Sequence, residues 1–206
     1  MTYKTISTGY SKGEKRIKII LETAEQLLIN SGYHNFSMRK VANKAGVSVG
    51  NLQYYFPSKD LLLEALLDHV IQNYLDTFER FIGKCDPKEQ FRKLVKTVIK
   101  DLKTKHTTVF FPELWSMANH EKHICKIMDD MYGKYRALVA NIIAEINPKL
   151  NEQQTKRLSL FITSSLEGHT VFIGYKKPWT KEMDNIIELA LQSFLWLIEH
   201  GKIPTE

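Results

Sequence analysis

Apolar residues recur at three-and-four spacing along almost the whole chain, and no segment keeps the two-residue period of a strand. Ile17, Ile20, Leu21, Ala24, Leu27 and Leu28 mark a first helix over 13–32, with Gly32 as its stop. A fourth runs from the Pro57-Ser58 break to about Ile82, carried by Leu62, Leu63, Leu66, Val70, Tyr74, Leu75, Phe78 and Phe81. Asp86, Pro87 and Glu89 form a helix-start signature of cap, N1 proline and N3 acid for a fifth, expected to end near Thr107. A brief or bent sixth follows, with Pro112 near its first turn. The seventh spans about 121–146, and Asn147-Pro148 ends it. Asn151 with Gln154 suggests a capping box opening an eighth helix through Phe172, and a ninth occupies 181–200 before Gly201.

Between the first and fourth helices lies a much tighter pattern. Ser37 is placed to cap a second helix, Gly46 to end it in the left-handed conformation, and Ser48 to cap a third two residues later. So short a turn makes the two helices cross steeply. Val41, Ala42, Ala45, Val47, Leu52 and Phe56 supply the inner face of the crossing, while Arg39, Lys40, Lys44, Val49, Asn51, Gln53 and Tyr54 point outward. This is the layout of a helix-turn-helix, whose second helix enters the major groove of DNA. The expected architecture is therefore all-α, with about nine helices. A three-helix helix-turn-helix domain (1–60) joins through a linker helix (about 59–82) to a larger helical domain (61–206).

Charge sharpens this picture. Residues 1–59 hold nine lysines and arginines against three glutamates, and the remaining residues sum to zero, so the net charge of +6 is concentrated at one end. A basic end on a neutral body suits a phosphate-binding module attached to something else. No apolar run reaches membrane-spanning length, and the first fifteen residues lack the apolar core of a secretory signal, which leads to the expectation of a cytoplasmic protein with no membrane partner. Cys85 and Cys125 have no metal or redox spacing and are read as reduced, packed thiols. The nearest approach to a catalytic or metal constellation is His120 and His123 with His106 upstream, unsupported by a further ligand; no catalytic residue, metal or cofactor is expected, and no enzyme.

The stretch GVSVGNLQYYFPSKDLLLEAL, preceded by SMRKVANKAGV and a basic amphipathic helix, resembles the DNA-binding domain of the TetR family of bacterial repressors. The cap serines, Gly46, small Gly50, the Tyr55-Phe56 end and Lys59 recur in the family's order over roughly 13–82. One position departs: 53 is usually Tyr in the family and is Gln here, with Tyr54 following. The resemblance implies a repressor released from a palindromic operator when a small molecule enters a pocket among the fifth to eighth helices, moves the sixth and tilts the fourth.

On the residues themselves, Val49, Asn51 and Gln53 are assigned to base edges, with Gly50 permitting close approach. Lys15, Arg16, Ser37, Arg39, Ser48, Tyr54, Tyr55 and Lys59 are assigned to phosphates. The pocket candidates are Phe110, Trp115, Met128, Tyr132, Tyr135, Phe161, Ser165, His169 and Phe172, an aromatic set suited to an apolar or cationic effector. The broad apolar faces of the last two helices suggest a homodimer closed as a four-helix bundle, which would present two reading helices to two half-sites of double-stranded DNA. The alternative is a ligand-independent architectural or constitutive DNA-binding protein.

Overall fold

The computed structural model describes residues 12–205. Lys4, counted above in the basic end, lies outside the described residues. Among those described, the elements are helical throughout: α1 (Lys12–Ser31), α2 (Met38–Ala45), α3 (Val49–Tyr55), α4 (Lys59–Glu79), α5 (Pro87–Asp101), α6 (Lys105–Ala118), α7 (Lys122–Ile146), α8 (Glu152–Gly168), α9 (Thr170–Ile173) and α10 (Met183–His200). Short 3-10 turns at Tyr33–Asn35 and Thr180–Glu182 complete the order. The four-residue α9 continues α8 past a joint at His169, so nine principal helices remain. The chain parts into two compact units between His69 and Val70, inside α4.

In the first unit α1 packs on α2 and α2 on α3. Ile20, Ala24, Leu27 and Leu28 of α1, Phe36, Val41, Ala42, Leu52 and Phe56, and Leu62, Leu63 and Leu66 of α4 are all buried. Leu52 is fully buried and pins the short α3 by the apolar area it removes from water. The turn between α2 and α3 is held locally. Gly46 sits at φ 67°, ψ 35°, and the Val47 N–H donates back to the Ala42 carbonyl at 3.0 Å, closing the helix end.

In the second unit α7 packs against α5, α6 and α8, and α10 lies on α5. Phe91, Leu94, Val95 and Ile99 from α5 share one core with Val139, Ile142 and Ile143, Leu158 and Ile162, and Ile187, Leu191 and Ile198. Predicted caps form as spaced. Asp86 accepts from the Lys88 and Glu89 N–H groups, and Asn151 and Gln154 make a reciprocal capping box.

Four boundaries differ from the sequence reading. Helix α4 ends at Glu79 and not near Ile82, because Gly83 turns the chain at φ 69° and its N–H is taken by the buried Gln90 side chain at 3.0 Å. Helix α5 stops at Asp101, well before Thr107, since Thr104 caps a new helix by accepting from the Thr107 N–H. Helix α6 is consequently a full fourteen residues with Pro112 in its interior, where it has no N–H to give the Thr108 carbonyl one turn back. Helix α8 breaks at Gly168, where the following segment folds onto α6: the Tyr175 N–H donates to Thr108 Oγ1 at 2.9 Å, and a Cβ at Gly174 would lie 2.7 Å from that threonine side chain.

Candidate functional site

Two sets of residues carry functional chemistry, one in each unit. In the first, the Ser48 hydroxyl accepts from the Asn51 N–H at 3.1 Å and starts α3 with its outer face open. Asn51 and Gln53 are exposed, Val49 is 37% exposed, and an added Cβ at Gly50 would meet nothing within 4 Å. Tyr54 projects furthest, at 80% exposure, with its ring edge-on to the half-buried Tyr55 at 5.2 Å. Ser37 caps α2 by accepting from the Lys40 N–H at 3.3 Å, and Arg39 beside it is exposed. Lys15 is exposed and Arg16 half-buried on α1. The Lys59 ammonium lies 3.8 Å from the centroid of the Tyr33 ring, a cation–π contact that occupies the group assigned to phosphate. The Lys40 ammonium donates to Asn35 Oδ1 at 3.3 Å. The geometry thus leaves one polar face of α3 open beside exposed cations, which suits base-edge contact flanked by phosphate contact.

The second unit encloses a cavity of about 50 Å³ among α4, α5, α6, α7 and α8. Of the nine pocket candidates, Tyr132 and Tyr135 line it. Trp115 stands behind them, its indole N–H donating to the Tyr132 hydroxyl at 2.9 Å. Phe110 is buried in the core against His106 while its neighbour Phe111 faces the cavity, and Met131, one turn past the half-buried Met128, does likewise. Phe161, Ser165 and Phe172 lie elsewhere. Phe161 and Phe172 are exposed on the outer side of α8 and α9, and the Ser165 hydroxyl donates to the Phe161 carbonyl. His169 sits at the joint between those helices, and burial lowers its pKa.

The sequence reading missed the α4 contribution, Ile71, Tyr74 and Phe78, and both carboxylates, Asp101 and Glu167. Tyr74 and Phe78 were already part of the apolar stripe of the fourth helix; a four-residue spacing puts them on one face. The Tyr74 hydroxyl donates to Asp101 Oδ2 at 2.6 Å, and the Thr107 hydroxyl donates to the same oxygen. The Tyr132 hydroxyl donates to Glu167 Oε2 at 3.3 Å. Burial pushes the Glu167 carboxyl up to about 7, against a smaller lowering by the Tyr132 bond. It also raises the Tyr74, Tyr132 and Tyr135 phenols, which stay protonated at neutral pH. Tyr135, only 6% exposed, keeps a buried hydroxyl with no hydrogen-bond partner among the described residues.

Among the described residues no group of three or more His, Cys, Asp or Glu could hold a metal ion, and no helix is long and apolar enough to cross a membrane. A helix-turn-helix with an open reading face, on a helical body with its own cavity, defines a DNA-binding transcriptional regulator. Residues 20–66 match the family model described as bacterial regulatory proteins, tetR family. The chain is similar to an uncharacterised HTH-type transcriptional regulator of Xanthobacter autotrophicus, 29% identical over 140 residues, 66% of this chain and 69% of that protein. Its fold is that of a TetR transcription regulator from Haloarcula marismortui, with TM-score 0.72 at 17% identity, covering 90% of this chain and 97% of that one. A protein from Saccharomonospora viridis, solved in complex with choline, superposes with TM-score 0.66 at 20% identity, covering 94% of this chain and 100% of that one. Residues 20–66 therefore carry a helix-turn-helix of the TetR type, and the fold over most of the chain is that of solved TetR regulators.

Proposed function

We propose that the chain is a ligand-responsive repressor that binds a palindromic operator as a homodimer and releases it when a small molecule occupies the cavity of the second unit. The observation that carries this reading is the cavity itself: ringed by aromatic side chains, it takes Tyr74 and Phe78 from α4, the helix whose first residue, Lys59, belongs to the helix-turn-helix unit. A ligand that favours one placement of α4 couples the two sites, and family-typical control needs only about 1–3 kcal/mol of such coupling. The helix-turn-helix domain (1–60, with the linker helix to about 82) serves DNA binding, and 61–206 serves ligand binding and dimerisation. Support for the dimer comes from Leu160 and Phe161 on α8, Val171 and Phe172 on α9, and Leu189 and Trp196 on α10, all large, apolar and exposed. The choline held by the Saccharomonospora viridis protein is a small ligand within a chain of this fold.

Selection of sites from random duplex DNA, with affinity followed against salt, tests the reading. The expected result is a palindromic consensus with half-sites spaced on the helical period, and a steep salt dependence from phosphate contacts. Gln53→Ala should relax preference at one position of each half-site by roughly 1–3 kcal/mol, leaving the salt slope unchanged. Binding without any consensus would instead favour the architectural alternative.

A further inference from the structure

The cavity has an unbalanced charge. Two carboxylates, Asp101 and Glu167, face it, and among the described residues no lysine, arginine or histidine lines it. Neither acid is in an ion pair among the described residues: Asp101 accepts from two hydroxyls and Glu167 from one. The remaining wall is dominated by ring systems, whose faces carry negative electrostatic potential. The buried Tyr135 hydroxyl adds a polar group with no hydrogen-bond partner among the described residues, available to a bound molecule. An anionic ligand would meet the Asp101 carboxylate with no lining cation to offset it. A bare divalent ion would want six or more oxygen ligands, and the wall offers two carboxylates among rings.

We propose that the cavity binds a compact organic cation, an alkylated ammonium caged by the rings of Tyr74, Phe78, Phe111, Tyr132 and Tyr135 with Glu167 as its counter-charge. This rests on the ligand-responsive reading above and specifies the effector's chemical class. Tyr135 is then free to donate to a polar tail of the ligand. With the cavity empty, burial keeps much of Glu167 protonated at neutral pH. The groups facing it are the Tyr132, Tyr74 and Tyr135 phenols and the Asp101 carboxylate, and His169, two residues on at the joint after α8, has its pKa lowered by burial; no lining residue among those described is a cation. Entry of the cation therefore drives the Glu167 proton out to buffer, leaving carboxylate paired with ammonium.

The test is calorimetric titration of the full chain with choline and tetramethylammonium, using 3,3-dimethylbutan-1-ol as the neutral carbon isostere of choline and butyrate as an anion. The expected result is that the cations bind, with the alcohol weaker by roughly tenfold or more and butyrate weaker still. Below about pH 7 the binding enthalpy should depend on the ionisation enthalpy of the buffer, reporting a released proton. Glu167→Gln should abolish that dependence and lower cation affinity by roughly tenfold, with little change for the alcohol. Phe111→Leu removes a ring without touching charge and should weaken the cations more than the alcohol. Equal binding of choline and its isostere, preference for butyrate, or unchanged cation affinity in both variants would overturn the proposal. So would absence of cation binding by protein that still selects its DNA consensus, and that result leaves the repressor reading standing. Failure to select a consensus strikes the repressor reading itself.

Discussion

Glu167 is the residue at which folding and ligand chemistry meet. Its carboxyl ionises near 4.5 in an unperturbed setting and near 7 in the fold, because burial removes the water that would solvate the anion. Between those values the folded chain keeps a proton that the unfolded chain has released. The stability tied to this group is therefore fully present below about pH 4.5 and is lost as pH rises through about 7, by roughly 3 kcal/mol at most. Thermal unfolding across that range should show a steeper fall in Tm with rising pH for the wild type than for Glu167→Gln. Parallel curves would mean that the carboxyl is already ionised in the fold. In the sequence Glu167 is one more acid on a helix, next to Leu166 of the apolar stripe, and nothing local marks it as enclosed. Tyr132 and Tyr135 were legible as pocket candidates because they are aromatic and lie three residues apart on one helix; that criterion could not separate them from Phe161 and Phe172, which the fold turns outward.

Helix boundaries divide according to how local their causes are. The ends of α2 and α3 are set within a few residues, by the Ser37 and Ser48 hydroxyls and by Gly46, and the predicted turn forms as spaced. Gly46 stands at positive φ with open space where a side chain would go, so Gly46→Ala carries a conformational cost and no clash. It should lower stability by about 1 kcal/mol in denaturant unfolding and weaken DNA binding only through that loss. A much larger fall would point to a role for Gly46 in DNA contact. The junction of α5 and α6 was harder to read because two signals compete there. Pro112 resembles a helix start, but Thr104 provides a working cap earlier, and the packing of Phe110, Leu114 and Met117 outweighs one missing hydrogen bond. The joint at His169 likewise depends on Gly174 seating against Thr108, a contact between residues 66 apart in the chain.

For the whole molecule, the outward apolar faces of α8, α9 and α10 bear on assembly. A two-fold pairing through them would bury Phe161 and Trp196, each more than half exposed in the single chain. Replacing both with glutamate should convert a dimer to a monomer in sedimentation velocity. Operator affinity should fall by roughly a hundredfold or more, since each half-site is then bound alone. An unchanged sedimentation coefficient would remove these faces from the interface.

Composition, spacing and caps were enough to determine an all-helical chain with a helix-turn-helix near its start, since amphipathic period, capping and turn chemistry act over a few residues, and a net positive end is additive whatever the fold. Val49, Asn51 and Gln53 could be assigned to the open face of α3 because the fully buried Leu52 orients so short a helix by itself. Tertiary structure alone decided which rings enclose the cavity, that α4 supplies Tyr74 and Phe78 to it, and that Asp101 and Glu167 face it without a cation. Those residues come from five helices spread over nearly a hundred positions. Burial and electrostatic environment are properties of the packed arrangement, and no local pattern encodes them.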